Sequence, residues 1–264
     1  MNASDLGKLV WIVSDAGKVL LLYIILRKQL YRTFRLFFGY VLWDLISDVV
    51  LYLTLAAPDG YLEHHYAPIY YTANIILYLL EFGVLLEVAT VVLQPAKRVF
   101  PRGTLYFVSG AMLILGAISF MLAIWVNPTP FANFRFFLVL NTAAAILCLI
   151  TFLLIAGFSQ ILGLSWKNHV LQLATGLAFF SVVELTMELM QSQLHPGPSY
   201  LSQYRMWGQF EVIGYLCTLS FWCYAFLKKE APRKEFSPQM AKILVSLSSG
   251  AKRQHAVLAR SRDD

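Results

Sequence analysis

Seven predominantly apolar stretches, each long enough to cross a bilayer, constrain this chain more than any motif in it. They run from about Leu6 to Leu26, Tyr31 to Ala56, Ala67 to Leu93, Thr104 to Val126, Phe131 to Gly157, His169 to Leu194 and Tyr200 to Leu227. A hydrocarbon core about 30 Å thick takes roughly 20 helical residues to cross. Helix is the expected state, because lipid offers no partner for backbone N–H and C=O groups. A β-barrel would need strands of about ten alternating residues, and no such alternation is present. Breakers separate the stretches at Pro58 to Gly60, Pro95, Pro101 to Gly103, Pro128 with Pro130, and Pro196 to Pro198. Composition agrees: 58% of residues are hydrophobic and 14% charged, where soluble domains average about 25% charged. The predicted fold class is all-α, a polytopic integral membrane protein. Residues 1–230 form a seven-helix bundle, and 231–264 form a basic tail.

Lysine and arginine positions predict the orientation. Arg27, Lys28, Arg32 and Arg35, then Lys97, Arg98 and Arg102, then Lys167, all fall in hinges on one side. The basic residues after the last span, from Lys228 to Arg262, join them there. The other side holds Lys8, Arg135 and Arg205 near span ends, with acidic Asp5, Asp59 and Glu63. The positive-inside rule then places the N-terminus outside and the C-terminus in the cytoplasm, in the cell membrane. The net charge of +6 therefore reads as topology, and no nucleic-acid partner is expected. The start has neither a basic n-region nor an A-x-A site, so no removable signal peptide is expected. In the tail, Ser237-Pro238 reads as a helix start. Met240, Ile243, Leu244 and Leu247 then repeat at helical spacing, predicting a short amphipathic helix for the inner lipid surface or the underside of the bundle.

Eight carboxylates fall within the predicted spans: Asp15, Asp44, Asp48, Glu81, Glu87, Glu184, Glu188 and Glu211. Lys18, Arg135 and Arg205 are available to oppose them. A charge at the bilayer centre costs about 2.5–3.5 kcal/mol on insertion scales, so these groups must face the interior, pair, line a wet cavity or carry protons. All but Glu87 lie from the middle outward, which predicts an outward-facing polar pocket. Asp44/Asp48 and Glu184/Glu188 are i,i+4 pairs and each shares a helix face. Either one member of a pair carries a proton or a cation sits between the two. Arg205 is placed to reach Glu188 across the bundle.

Tyr66, Tyr70, Tyr71, Tyr78, Tyr200 and Tyr204 enrich the same level. They read either as an interfacial belt or, with the carboxylates, as an aromatic-acidic pocket for an organic cation. The candidate ligand-binding residues are Asp44, Asp48, Tyr78, Glu81, Glu184, Glu188, Arg205 and Glu211. The competing reading is a network that only fixes helix packing.

Other chemistries find little support. Glu63-His64-His65, with distant His195, is a weak metal signature, and no metal or cofactor is expected. Cys148, Cys217 and Cys223 lie in apolar stretches, which argues against a disulfide framework. No phosphate-binding loop, H-E-x-x-H, C-x-x-C or G-x-S-x-G is present, so the chain is not expected to be an enzyme. His169 reads as interfacial, and the six tryptophans, Trp222 among them, read mostly as span-end anchors.

The stretches YVLWDLISDVVLYL, YYTANIILYLLEFGVLLEV, FSQILGLSWKNHVLQLATGLAFF and GYLCTLSFWCYAFLKKE resemble a group of uncharacterised bacterial seven-helix membrane proteins. These are similar in layout to the seven-helix sensory region that precedes some histidine kinases. The resemblance implies a sensor-like role. The chain after Glu230 holds no phosphoacceptor motif and no room for a kinase domain, so no catalytic output domain is expected. The leading expectation is a receptor-like or sensory protein that binds a small or lipidic ligand and signals to a cytoplasmic partner. The alternative is a proton- or cation-coupled small-molecule transporter that uses the same carboxylates.

Overall fold

Without water to satisfy the backbone, the apolar stretches close their hydrogen bonds internally and form helices. The computed structural model describes residues 3–56, 61–92, 103–126, 132–157, 167–192 and 200–230. Among them are seven α-helices: α1 (Ala3–Arg27), α2 (Arg35–Ala56), α3 (Tyr61–Val92), α4 (Gly103–Val126), α5 (Ala132–Gly157), α6 (His169–Ser192) and α7 (Tyr200–Leu227). Six of these, α2 to α7, are long and apolar enough to cross a membrane, which marks a membrane-embedded multi-pass protein. α1 differs in carrying five charged residues, Asp5, Lys8, Asp15, Lys18 and Arg27. The tail from 231 onward, with its expected amphipathic helix, lies outside the described residues.

The helix ends fall within three residues of those expected except at the starts of α2, at Arg35 rather than Tyr31, and of α3. This helix starts at Tyr61 and runs through Pro68, so 63–65 form its opening turns rather than a loop. Proline removes one backbone donor but does not end a helix whose neighbours re-satisfy the freed groups. The Thr72 hydroxyl donates to the Pro68 carbonyl at 2.8 Å.

Helix ends are tied to one another at one end of the bundle. A 3-10 turn, Leu30–Arg32, joins α1 to α2, entered through Gln29 at φ 55°, the left-handed conformation that commonly stops a helix. Glu87 of α3 accepts the free N–H groups of Arg35 (2.7 Å), Leu36 (3.0 Å) and Phe37 (3.2 Å), capping α2 from another helix. A carboxylate there satisfies orphan donors and favours the positive end of the helix dipole. Asn168 caps α6 by accepting from the Val170 N–H at 2.9 Å. Lys28 donates to the carbonyls of Leu227 (2.5 Å) and Lys228 (3.3 Å) at the end of α7. This capped end carries Arg27, Lys28, Arg32, Arg35, Lys167, Lys228 and Lys229.

Above the caps lies a dry core. Phe37 meets Trp222 and Phe226 edge-on at 5.0 and 5.9 Å, and all three are fully buried with Leu171, Leu173, Val84 and Val88. Trp222 is thus a core residue and not an interfacial anchor. His169 is likewise buried, its ring edge-on to Phe226 at 5.4 Å and its Nδ1 3.1 Å from Gln172 Oε1. The surroundings satisfy its polar atom, so the ring packs as an apolar body instead of seeking the interface. Two glycines let α6 and α7 approach. A Cβ on Gly176 would stand 2.1 Å from Trp222 Nε1, and one on Gly214 would stand 2.6 Å from Val183 Cγ1. α1 packs against both α2 and α7, and α3 reaches α4, α5 and α6. The helices therefore close around a shared interior.

Candidate functional site: a polar cavity in the bundle

Most of the intramembrane polar residues converge on a cavity of about 320 Å³. Asp44 and Asp48 of α2, Tyr78 and Glu81 of α3, Glu184 of α6 and Glu211 of α7 all line it. These six were candidates from sequence. Helices far apart in the chain deliver them to one place because each turns its polar face away from lipid.

The aspartate side is organised by Lys18, whose side chain is only 2% exposed. Its ammonium lies 2.9 Å from Asp44 Oδ2 and hydrogen-bonds Asp48 Oδ2. Asp15, one turn back on α1, stands 3.8 Å away. Of the two arrangements open to the i,i+4 aspartates, a shared proton or an intervening cation, the structure has a cation, and it is this lysine. The Tyr215 hydroxyl donates to Asp44 at 2.5 Å. The Tyr215 ring also faces the ammonium, 5.3 Å from its centroid, and Phe180 packs edge-on against it at 5.3 Å. Charge-assisted contacts of this kind make a buried ion cluster tolerable.

The glutamate side is built differently. Glu184 and Glu188 lie close enough to interact, and both bond the Asn141 side chain. Glu188 is held by α5, accepting from the Asn141 amide and, at 2.8 Å, from the Thr142 hydroxyl. Tyr78 donates to the Asn141 carbonyl oxygen at 2.5 Å, so one asparagine links α3 to α6. Glu81 accepts from the Cys148 thiol at 3.0 Å. Among the described residues no lysine, arginine or histidine forms an ion pair with Glu81, Glu184, Glu188 or Glu211.

Glu188 thus supports the cavity wall from behind without appearing among its lining residues. The side chains of Arg205 and Arg135 lie outside the described residues, and so does the expected Arg205–Glu188 contact. The side chains of His64, His65 and His195 also fall outside them. Among the described residues no group of three or more His, Cys, Asp or Glu side chains is arranged to hold a metal ion.

Sequence reasoning missed Asn141, Tyr215 and Cys148 as partners of the carboxylates. Asn141 had a signal, an amide inside the otherwise apolar α5. Tyr215 and Cys148 had none, since both residue types occur throughout apolar stretches.

A second, mostly apolar cavity of about 210 Å³ lies between α3, α4 and α5. Tyr78 and Glu81 line it as well as the polar cavity. No protein family model, curated protein or solved structure matches the chain.

Proposed function

We propose that this protein is a receptor-like membrane protein that binds a small organic cation in the polar cavity and passes the signal to a cytoplasmic partner. The observation that carries the reading is the charge balance of the lining. Asp44, Asp48, Glu81, Glu184 and Glu211 face Lys18 as the one described cation there, and Lys18 is already engaged by Asp44 and Asp48. An incoming ammonium would meet Glu184, Glu211 and Glu81 together with the aromatic rings of Tyr78, Tyr40 and Phe180.

Several features favour binding over conduction. The dry Phe37–Trp222–Phe226 core lies between the cavity and the capped end, and no charged side chain is described among those rings. The basic capped end fits a cytoplasmic face, so the cavity sits in the outer part of the bundle and the N-terminus lies outside. α1 completes seven spans: Ile12, Val19, Leu20 and Tyr23 are exposed on its outer face, while Asp15 and Lys18 turn inward. The resemblance to seven-helix sensory regions points the same way.

The test is equilibrium binding of butylamine and other small amines to the purified full chain, read by thermal unfolding and calorimetry. Saturable binding to wild type, weakened at least tenfold in Glu184→Gln with its unfolding temperature kept, is the expected result. Affinity unchanged in Glu184→Gln, or absence of saturable amine binding, would overturn the reading. Amine-driven flux into proteoliposomes would instead establish the transporter.

A further inference from the structure

The polar cavity does not stand alone. Tyr78 and Glu81, one turn apart on α3, line both it and the apolar cavity between α3, α4 and α5. One helix face therefore forms the wall shared by a chamber rich in carboxylates and a chamber nearly without polar atoms.

The apolar chamber has the properties of a hydrocarbon slot. Gly116 of α4 and Ala143 and Ala144 of α5 line it where larger side chains would close it. A Cβ on Gly116 would meet Phe82 at only 3.7 Å, so the glycine is not required by a tight helix contact. It keeps space open. Leu79, at the edge of this slot, is 66% exposed, and it lies on α3, a helix apolar enough to cross the membrane. The slot therefore meets the surface where lipid chains pack. α4 contributes no charged residue anywhere along Gly103–Val126.

We infer that the ligand is a single-chain cationic amphiphile, an amine on one hydrocarbon chain, which enters sideways from the bilayer between α3 and α4. Its ammonium passes Tyr78 and Glu81 to reach Glu184 and Glu211, and its chain stays in the slot against Gly116 and Ala144. The inference rests on the amine-binding reading above and adds the chain, the route and the residues that select for length.

A homologous series from butylamine to decylamine, titrated into the full chain in lipid nanodiscs, tests it, with affinity referred to the free aqueous amine. Each methylene that leaves water for an apolar site is worth about fourfold in affinity. Wild type should tighten by about that factor per methylene until the slot is full, and alkyl sulfates of equal length should not bind. Gly116→Leu and Ala144→Leu should flatten the dependence while butylamine affinity is kept. Leu113→Ala, on the exposed side of α4 and away from the slot, serves as the folding control and should behave as wild type. Affinity independent of chain length in wild type, or an equal length dependence in the filled variants, would overturn the amphiphile. Butylamine binding would survive that outcome. Failure of butylamine itself would instead remove the amine reading on which the inference stands.

Discussion

On the α1–α2–α7 side of the cavity, Lys18 lies between Asp44 and Asp48, and Tyr215 closes the arrangement with its hydroxyl and its ring. On the α3–α5–α6 side, Glu188 is held by neutral donors, Glu81 by a thiol, and Glu184 faces the same space. Both sides are acidic and both are inside a membrane bundle. The first supplies its own counter-charge; among the described residues the second shows none. A buried charge whose partner is covalently part of the fold acts as a pin between helices. A buried carboxylate satisfied only by neutral donors keeps an affinity for an external cation.

The strongest way to break this comparison is Lys18→Met. It leaves Asp44 and Asp48 facing each other without a cation, and stranding buried charges in this way costs about 3–5 kcal/mol. A sharp fall in the unfolding temperature is expected, restored in large part by adding Asp44→Asn and Asp48→Asn. A Lys18→Met protein as stable as wild type would show that the aspartate side is not a pin. By the same logic Asp48→Asn reports mainly on stability, because Asp48 is bound to Lys18, whereas Glu184→Gln reports on binding.

Gly176→Ala supplies the reference for a defect remote from the cavity. Its methyl would enter Trp222, and overpacking of this kind costs about 1–3 kcal/mol. Denaturation should show the loss, Trp222→Phe should partly relieve it, and amine affinity should not move. A parallel loss of binding would couple the dry core to the cavity. Glu87→Ala removes the charged cap of α2 and should cost about 0.5–2 kcal/mol, again without a change in binding. The smallest stability effect is expected for Glu184→Gln, about 0.5 kcal/mol, because the amide keeps the shape of the carboxylate and a bond to Asn141, so at most the low end of one hydrogen bond's net worth is lost. A large destabilisation there would assign Glu184 to the same structural role as the aspartates.

Much of this architecture was legible from residue types alone. The helices α1, α2 and α4 to α7 follow from runs of apolar residues between breakers. The exception, α3, shows the limit of that reading: the apolar run starts at Ala67, yet the helix begins at Tyr61 and runs through Pro68. The site was half legible. Carboxylates in apolar stretches announce an interior polar region, and Asp44, Asp48, Tyr78, Glu81, Glu184 and Glu211 do share one cavity. Their partners were not legible, because contacts such as Tyr215 to Asp44 or Cys148 to Glu81 join residues 171 and 67 positions apart.

The division has a physical reason. Whether a segment crosses lipid as a helix depends on its own side chains and on the absence of water for its backbone, so the sequence by itself determined the all-helical, multi-pass class. The rotation and spacing of each helix depend on what it packs against. Only the tertiary structure could decide that Lys18 neutralises the aspartates, that Glu87 caps α2, that Trp222 is core, and that Tyr78 and Glu81 stand between a polar chamber and an apolar one. Those assignments turn on steric fits such as Gly176 against Trp222, which exist only between helices.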